Sequence, residues 1–403
     1  MIATLNNPTV PFSPLHEAPR VHGEAVTAES SLASQEMGSP ISIMGVSFDN
    51  VTTAHTLALI QRMVESRSPH YIATANVDFL VQAQTDPVLR RILMDAHLVL
   101  CDGTPLVWAS RWLGNPLPER VAGSDLLPLM LSLAASRGYR VFLLGAAEEM
   151  NRAAAENIQR QHPDLIVAGR YSPPLAPLEK MNHAEIRVRI RAARPDIVLV
   201  AFGCPKQEKW ISMNYRELGV PVCVGVGATI DFLAGAVRRA PVWMRKCGME
   251  WMWRLLMEPS RLAGRYSKGL VVFGRGLLGQ LWRTRSRTVD TSGECARTVL
   301  CAYQTHRMEM PERLDAATVD ECRAHWETQP TGGRLIVDLA KTRFVDSTGV
   351  GFLIRLRRLA RESGKKFALA NVPPSVWRTI EMMKLGSAFP VGSSVEDAIQ
   401  QAV

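Results

Sequence analysis

Asp102 closes the apolar run His97–Cys101 and is followed by Gly103. A carboxylate at the carboxyl end of a strand, next to a glycine that lets the backbone turn, stands where a general base must stand. Asp-Gly is also an ordinary turn, and spacing alone leaves both readings open. Thr74 and Asn76 hold the matching place at the end of an earlier run, Tyr71–Ala75, where by themselves they read as helix caps. Arg120 precedes Ser124 and Asp125, which have the residue types of a helix N-terminal cap. A guanidinium beside a helix N-terminus favours anions, phosphate above all, although a solvated arginine before a capped helix has the same pattern. Gln207 and Glu208, in FGCPKQEKW, follow a further apolar run. The amide suits a nucleobase or a sugar hydroxyl, and Glu208 reads as a surface charge.

A second group of residues is marked by charge. Between Arg238 and Arg287 the chain has twelve Lys/Arg against Glu250 and Glu258, whereas its whole formal net charge is only +9. A near-neutral protein with one basic, tryptophan-rich arm meets a polyanion through that arm: anionic membrane, nucleic acid or a diphosphate. On a single helix, Arg254, Arg261, Arg265 and Lys268 fall within a stripe of roughly 60°, with Trp251, Leu255, Leu262 and Tyr266 on the neighbouring face. Pro259 breaks or kinks that helix. Such a surface can lie on anionic lipid or pack on its own domain through the tryptophans. The following GLVVFGRGLLGQLW is too glycine-rich to read as a helix, and its GxGxxG lacks the strand–turn–helix setting that gives that motif meaning. There is no Asp-x-Asp and no metal-like cluster, so phosphate chemistry here would rest on arginines, with no metal and no cofactor.

Elements must place these residues. Short apolar runs, Tyr71–Ala75, Leu98–Cys101, Arg140–Leu144, Asp196–Phe202 and Val222–Val226, alternate with helical patterns such as Leu126–Arg137 and Glu148–Gln161. That alternation argues an α/β fold, a parallel sheet covered on both faces. Ligands bind beyond the carboxyl ends of such strands, which selects Thr74 and Asn76, Asp102, Gly145, Gly203 and Gln207, and Gly227 and Asp231. A second, smaller α/β unit follows the linker Thr284–Gly293: a strand near Thr298–Gln304, a helix Leu314–Glu327, the strand Arg334–Leu339, the turn Phe344–Gly349, the helix Val350–Ser363 and the strand Lys366–Ala370. The expected division is a disordered leader 1–40, a first domain 41–268 with its basic appendage, a basic linker 269–293 and a second domain 294–403.

Composition narrows the setting. Seven cysteines, odd in number and without a CxxC pair, read as buried thiols in a reducing compartment. No export signal and no spanning stretch is apparent, so the expectation is a cytoplasmic protein that touches a membrane surface.

Taken together, the motifs resemble the WecG/TagA/CpsF family of bacterial glycosyltransferases over roughly Ile41–Tyr266. The residues are Thr-x-Asn at 74–76, Asp-Gly-x-Pro at 102–105, Arg-Val-x-Gly-x-Asp at 120–125, Gly-x-Pro-x-Gln-Glu at 203–208, and the run GVGATIDFLAG to EPSRL. The resemblance implies a Rossmann-like, inverting, metal-independent transferase. It would move a sugar, N-acetylmannosamine or another hexose, from a UDP-sugar to a polyprenyl-diphosphate-linked acceptor at the inner face of the cytoplasmic membrane. Mapped onto this chain, Asp102 is the general base, and Thr74 and Asn76 position the sugars. Arg120 and Gln207 hold the donor, with Asp125, Gly227 and Asp231 in the same site, while Arg254, Arg261 and Arg265 neutralise the diphosphate. One departure, Gly169-Arg-Tyr-Ser-Pro-Pro where the family often has Gly-Tyr-Phe, leaves the donor sugar open.

The second domain is similar to a STAS domain, carried by ERLDAATVD and RLIVDLAKTRFVDSTGVGFLIRLRRLARESGKKFAL. The resemblance implies Ser347 or Thr348 as a phosphoacceptor and a protein partner or kinase; the plain alternative is that either residue caps the helix. Two other functions compete with the transferase. One is a regulatory binding protein whose first domain senses a nucleotide-sugar. Nucleic-acid binding by the arm fits less well, because Trp, Leu and Gly suit lipid better than a phosphate ladder.

Overall fold

The computed structural model describes residues 38–402, apart from 237–239, 242, 245–248, 258, 286–296, 302–304, 321 and 323–332. The expected leader lies outside the described residues except for 38–40, which are strand; of the helix read at Leu314–Glu327, 321 and 323–327 lie outside them, Leu314 is strand and 315–318 form a turn, and both domains belong to one compact unit.

The chain opens with a hairpin, β1 (Gly38–Ile43) and β2 (Val46–Asn50), paired antiparallel across a two-residue Met44-Gly45 turn in which both residues have positive φ. Such a turn matches the twist of the flanking strands. Next come α1 (Thr53–Glu65), β3 (His70–Ala75), α2 (Val77–Ala83), α3 (Pro87–Asp95), β4 (Leu98–Cys101), α4 (Thr104–Trp112), α5 (Gly123–Arg137), β5 (Arg140–Gly145), α6 (Glu148–Gln161), β6 (Ile166–Tyr171), α7 (His183–Ala193), β7 (Ile197–Ala201), α8 (Lys206–Leu218), β8 (Val222–Gly225) and α9 (Thr229–Leu233). Strands β3 to β8 form one parallel sheet in the order β4-β3-β8-β7-β5-β6. Its central strands are buried on both faces, as continuous apolar runs such as Ile197–Ala201 require. The order places the carboxyl ends of β4, β3 and β8 side by side.

The arm consists of α10 (Glu250–Met257) and α11 (Pro259–Arg285), separated where Pro259 was expected to interrupt a helix. The glycine-rich stretch, read as non-helical, is helical through Arg285. Packing supplies what propensity withholds: Phe273 and Leu277 enter the core of the first domain. Gly276 faces the hairpin turn so closely that a Cβ would stand 2.4 Å from the Met44 methyl. No helix among the described residues is long and apolar enough to cross a membrane.

The second domain holds β9 (Arg297–Cys301), β10 (Thr305–Glu309), β11 (Arg313–Leu314), β12 (Arg334–Asp338), β13 (Phe344–Val345), α12 (Ser347–Glu362), β14 (Lys366–Ala370), α13 (Pro374–Met382), β15 (Val391–Gly392) and α14 (Val395–Gln401). Five strands form a sheet in the order β15-β14-β12-β10-β9, parallel except for β9 against β10. The single strand expected near Thr298–Gln304 is therefore the first arm of an antiparallel pair. The α12 helix lies against β1 of the first domain.

Candidate active site

Strand β4 delivers Asp102 into a junction of three elements. Its N–H bonds the Ala75 carbonyl at the end of β3 at 2.9 Å. One carboxylate oxygen accepts the N–H of Gly123, the first residue of α5, at 3.3 Å. The unpaired amides of a helix start favour a negative charge at that place. Thr74 is buried on β3 and donates its hydroxyl to the Gly225 carbonyl at the end of β8, at 3.2 Å. A Cβ built on Gly123 would lie 3.6 Å from the Thr74 hydroxyl and 3.7 Å from that of Thr229. Asp102, Thr74, Gly123 and Thr229 thus converge, and Thr229 is a member that sequence reasoning missed. Its signal was the Thr that follows the Gly227-Ala228 turn after β8.

The other expected residues fall as follows. Asn76 is the N-cap of α2, its carbonyl oxygen accepting from the Asp78 and Phe79 amides at 3.0 and 3.3 Å. Asp125 is not a cap: α5 begins at Gly123 without a side-chain cap, and Asp125 in its first turn pairs with Arg120 at 2.6 Å. The same guanidinium bonds Glu250 at 3.0 Å, so Arg120 ties the first turn of α10 to the start of α5. Burial opposes the charge on Arg120, but the Glu250 hydrogen bond and the charges of Asp125 and Asp102 outweigh it and hold its pKa above the ordinary value.

Gln207 and Glu208 are buried, and the reading of Glu208 as a surface charge is corrected: it is 2% exposed. Both belong to α8, whose buried residues are Gln207, Glu208, Trp210, Ile211, Asn214, Tyr215 and Leu218. The Gln207 carbonyl oxygen accepts the amides of Gly203 at 3.2 Å and Gly227 at 3.0 Å, and its amide nitrogen donates to Glu208 at 2.7 Å. It joins the loops after β7 and β8 and engages three partners of its own chain. Burial pushes Glu208 up to about 7, against the opposing hydrogen bonds of Gln207 and Cys204.

Asp231 lies in the first turn of α9, half-buried. Arg254 lies in α10, and Arg261 and Arg265 in α11; their side chains are outside the described residues. The Trp251 and Tyr266 rings meet edge to face at 6.3 Å, joining the two arm helices. Leu270, Leu278 and Trp282 remain exposed along α11, Trp282 by 76%. In the second domain Ser347 and Thr348 are fully buried. The cap of α12 is neither of them but Asp346, which accepts from the Thr348 and Gly349 amides at 2.7 and 2.9 Å. The Ser347 hydroxyl accepts from the Gln280 amide of α11 at 2.5 Å.

Asp102 at the end of a parallel strand thus lies beside two threonine hydroxyls and a helix start, in an α/β domain with a second α/β domain attached. The profile of the Glycosyl transferase WecG/TagA/CpsF family matches residues 41–287, and that of the STAS domain matches residues 306–398. The chain belongs to the WecG/TagA/CpsF family of glycosyltransferases and carries a STAS domain. Two relatives from Staphylococcus aureus, strains MW2 and MRSA252, are named N-acetylglucosaminyldiphosphoundecaprenol N-acetyl-beta-D-mannosaminyltransferase. Each is 32% identical over 224 residues, 55% of this chain and 86% of the relative. The solved structure of the anti-sigma factor antagonist SpoIIAA in its unphosphorylated form is 25% identical, covering 27% of this chain and 95% of that one, with a TM-score of 0.23.

Proposed function

We propose that this glycosyltransferase moves a sugar of the N-acetylmannosamine type from a UDP-sugar to a sugar on a polyprenyl diphosphate, with inversion and without a metal, at the inner face of the cytoplasmic membrane. The observation that carries the reading is the placement of Asp102 at the start of α5, beside Thr74 and Thr229. Asp102 takes the proton of the acceptor hydroxyl as its oxygen attacks the anomeric carbon. The bond to UDP breaks on the opposite face, which inverts the centre. Thr74 and Thr229, whose hydroxyls lie beside Gly123, orient the sugars. Arg120 and the arm's Arg254, Arg261 and Arg265 supply positive charge for the diphosphate as it leaves. The similarity to the two staphylococcal transferases supports the choice of transferred sugar and acceptor. The exposed apolar side chains of α11 suit an interfacial helix, and the STAS domain is the regulatory part.

The test is UDP release from a panel of UDP-sugars in the presence of a lipid-linked N-acetylglucosamine diphosphate. UDP-N-acetylmannosamine is expected to turn over, and Asp102→Asn to lower kcat by about 10²–10⁴ with donor binding kept. Equal turnover in the variant would remove Asp102 as the base.

A further inference from the structure

The STAS domain holds the first domain through α12, and it does so at the foot of the strand that ends in the catalytic carboxylate. The approach is close: a Cβ on Gly351 would stand 2.9 Å from the Pro40 carbonyl oxygen, so helix backbone meets hairpin backbone directly. Two turns further along the helix, Arg358 is 4% exposed and Asp49 on β2 is 2% exposed. A single guanidinium nitrogen of Arg358 lies 3.0 Å from an Asp49 oxygen and 3.1 Å from the carbonyl oxygen of His97. The same Asp49 oxygen accepts the Val99 amide at 2.8 Å. The two groups that β4 presents at its foot, a carbonyl and an amide, are thus both gathered by one buried ion pair.

Flanking contacts repeat the arrangement. Arg357 bonds one oxygen of Asp95 at 2.6 Å, and Arg361 reaches the other at 2.9 Å and the Asp95 carbonyl at 2.7 Å. Asp95 is the last residue of α3, two positions before His97. Three arginines of one helix therefore fix the chain on both sides of the start of β4. The strand is four residues long, about 13 Å at the usual rise, and Asp102 is the next residue after it. A buried charge that loses its partner is costly, so the grip is rigid rather than optional. These ion pairs join the residues that match the WecG/TagA/CpsF family, 41–287, to those that match the STAS domain, 306–398, so the grip belongs to this domain combination.

We infer that Arg358 is a positioning residue for the transfer reaction: through Asp49 it sets the foot of β4, and so docking of the STAS domain sets the place of Asp102. The inference rests on the transferase function proposed above. Its test uses the full chain with UDP-N-acetylmannosamine and a lipid-linked N-acetylglucosamine diphosphate, together with amide hydrogen exchange over residues 97–102.

In Arg358→Met, exchange at 97–102 is expected to speed up at least tenfold and kcat to fall about tenfold, while the donor KM stays within twofold. Arg358→Lys, which keeps the charge but not the planar fork, is expected to recover part of both. A second pair covers the case of a variant that does not fold: Arg361→Gln should show the same losses in milder form, and Arg361→Lys, which keeps a charge opposite Asp95, should recover part of them. A folded Arg358→Met with unchanged exchange at 97–102 would overturn the inference, as would faster exchange there with kcat unchanged. Failure of Arg361→Lys to recover any of what Arg361→Gln loses would count against it as well. Absence of turnover in the wild type would instead defeat the proposed function, because the exchange measurements read the grip without any substrate.

Discussion

Glu208 ionises at about 7 because its carboxyl is buried beneath the loops that follow β7 and β8, against 4.5 for the same group in water. The unfolded chain gives up this proton near 4.5, so between pH 4.5 and 7 the folded state binds it more tightly. Stability therefore falls as pH rises through that window and levels off above it. The span corresponds to about 3 kcal/mol. Glu208→Gln keeps an oxygen to accept from Gln207 and has no proton to lose. Relative to wild type it should gain up to about 3 kcal/mol between pH 5 and pH 8, read from urea denaturation at the two values. Parallel curves would show that Glu208 does not titrate in this range. Asp346, raised by burial to about 6, acts with the same sign, which is why the difference between the two proteins is the quantity to measure. Asp102 and Thr74 were legible in the sequence because apolar runs mark strand ends. Glu208 was not, because its burial comes from a helix that starts immediately after a loop. The signal for Gln207 was present: it opens the spacing 207, 210, 211, 214, 215, 218, an apolar stripe whose first member is polar.

At the scale of elements, the arm is tied to the site by one guanidinium. Glu250 on α10 is buried and bonded to Arg120, which also holds Asp125 at the start of α5. Glu250→Ala removes a charge-assisted bond worth about 1.5–3 kcal/mol and frees the start of α10. The expected result is an acceptor KM raised about tenfold with UDP affinity unchanged, measured by initial rates against lipid-linked acceptor and by calorimetry with UDP. An unchanged acceptor KM would place the arm outside acceptor binding. Deleting the arm after Gly235 is a poorer test, because Phe273 and Leu277 belong to the core of the first domain and their loss would unfold it. The sequence hid this. Glycines at 269, 274, 276 and 279 depress helix propensity, and only tertiary contact on the Phe273, Leu277 and Gln280 face overrides it. The hairpin β1–β2 was hidden for a related reason: its turn is Met-Gly, a weaker signal than Asn-Gly.

At the scale of the molecule, the two domains meet through buried polar groups, and these decide how the chain unfolds. The Gln280 amide of α11 bonds Ser347 at the start of α12 and the Ser42 carbonyl, at 2.5 and 2.8 Å, while its oxygen accepts the Met44 amide at 2.9 Å. Arm, hairpin and STAS helix therefore join at one side chain. Ser347 is fully buried in this junction, where a phosphate or a carboxylate would have to displace the Gln280 amide. Modification there requires α12 to part from the first domain, which the reading of Ser347 and Thr348 as phosphoacceptors or helix caps did not foresee. Both domains should accordingly melt together in the wild type, as one calorimetric transition whose van't Hoff and calorimetric enthalpies agree. Ser347→Glu buries a charge against Gln280 at a cost of about 3 kcal/mol or more. That cost falls on the interface and not on either core, so the expected trace is two transitions, the lower one sensitive to which domain has been freed. Ser347→Ala, which loses only a hydrogen bond, should keep the single transition with a melting point a few degrees lower. A single, unshifted transition in Ser347→Glu would mean that α12 already stands clear of the first domain in solution.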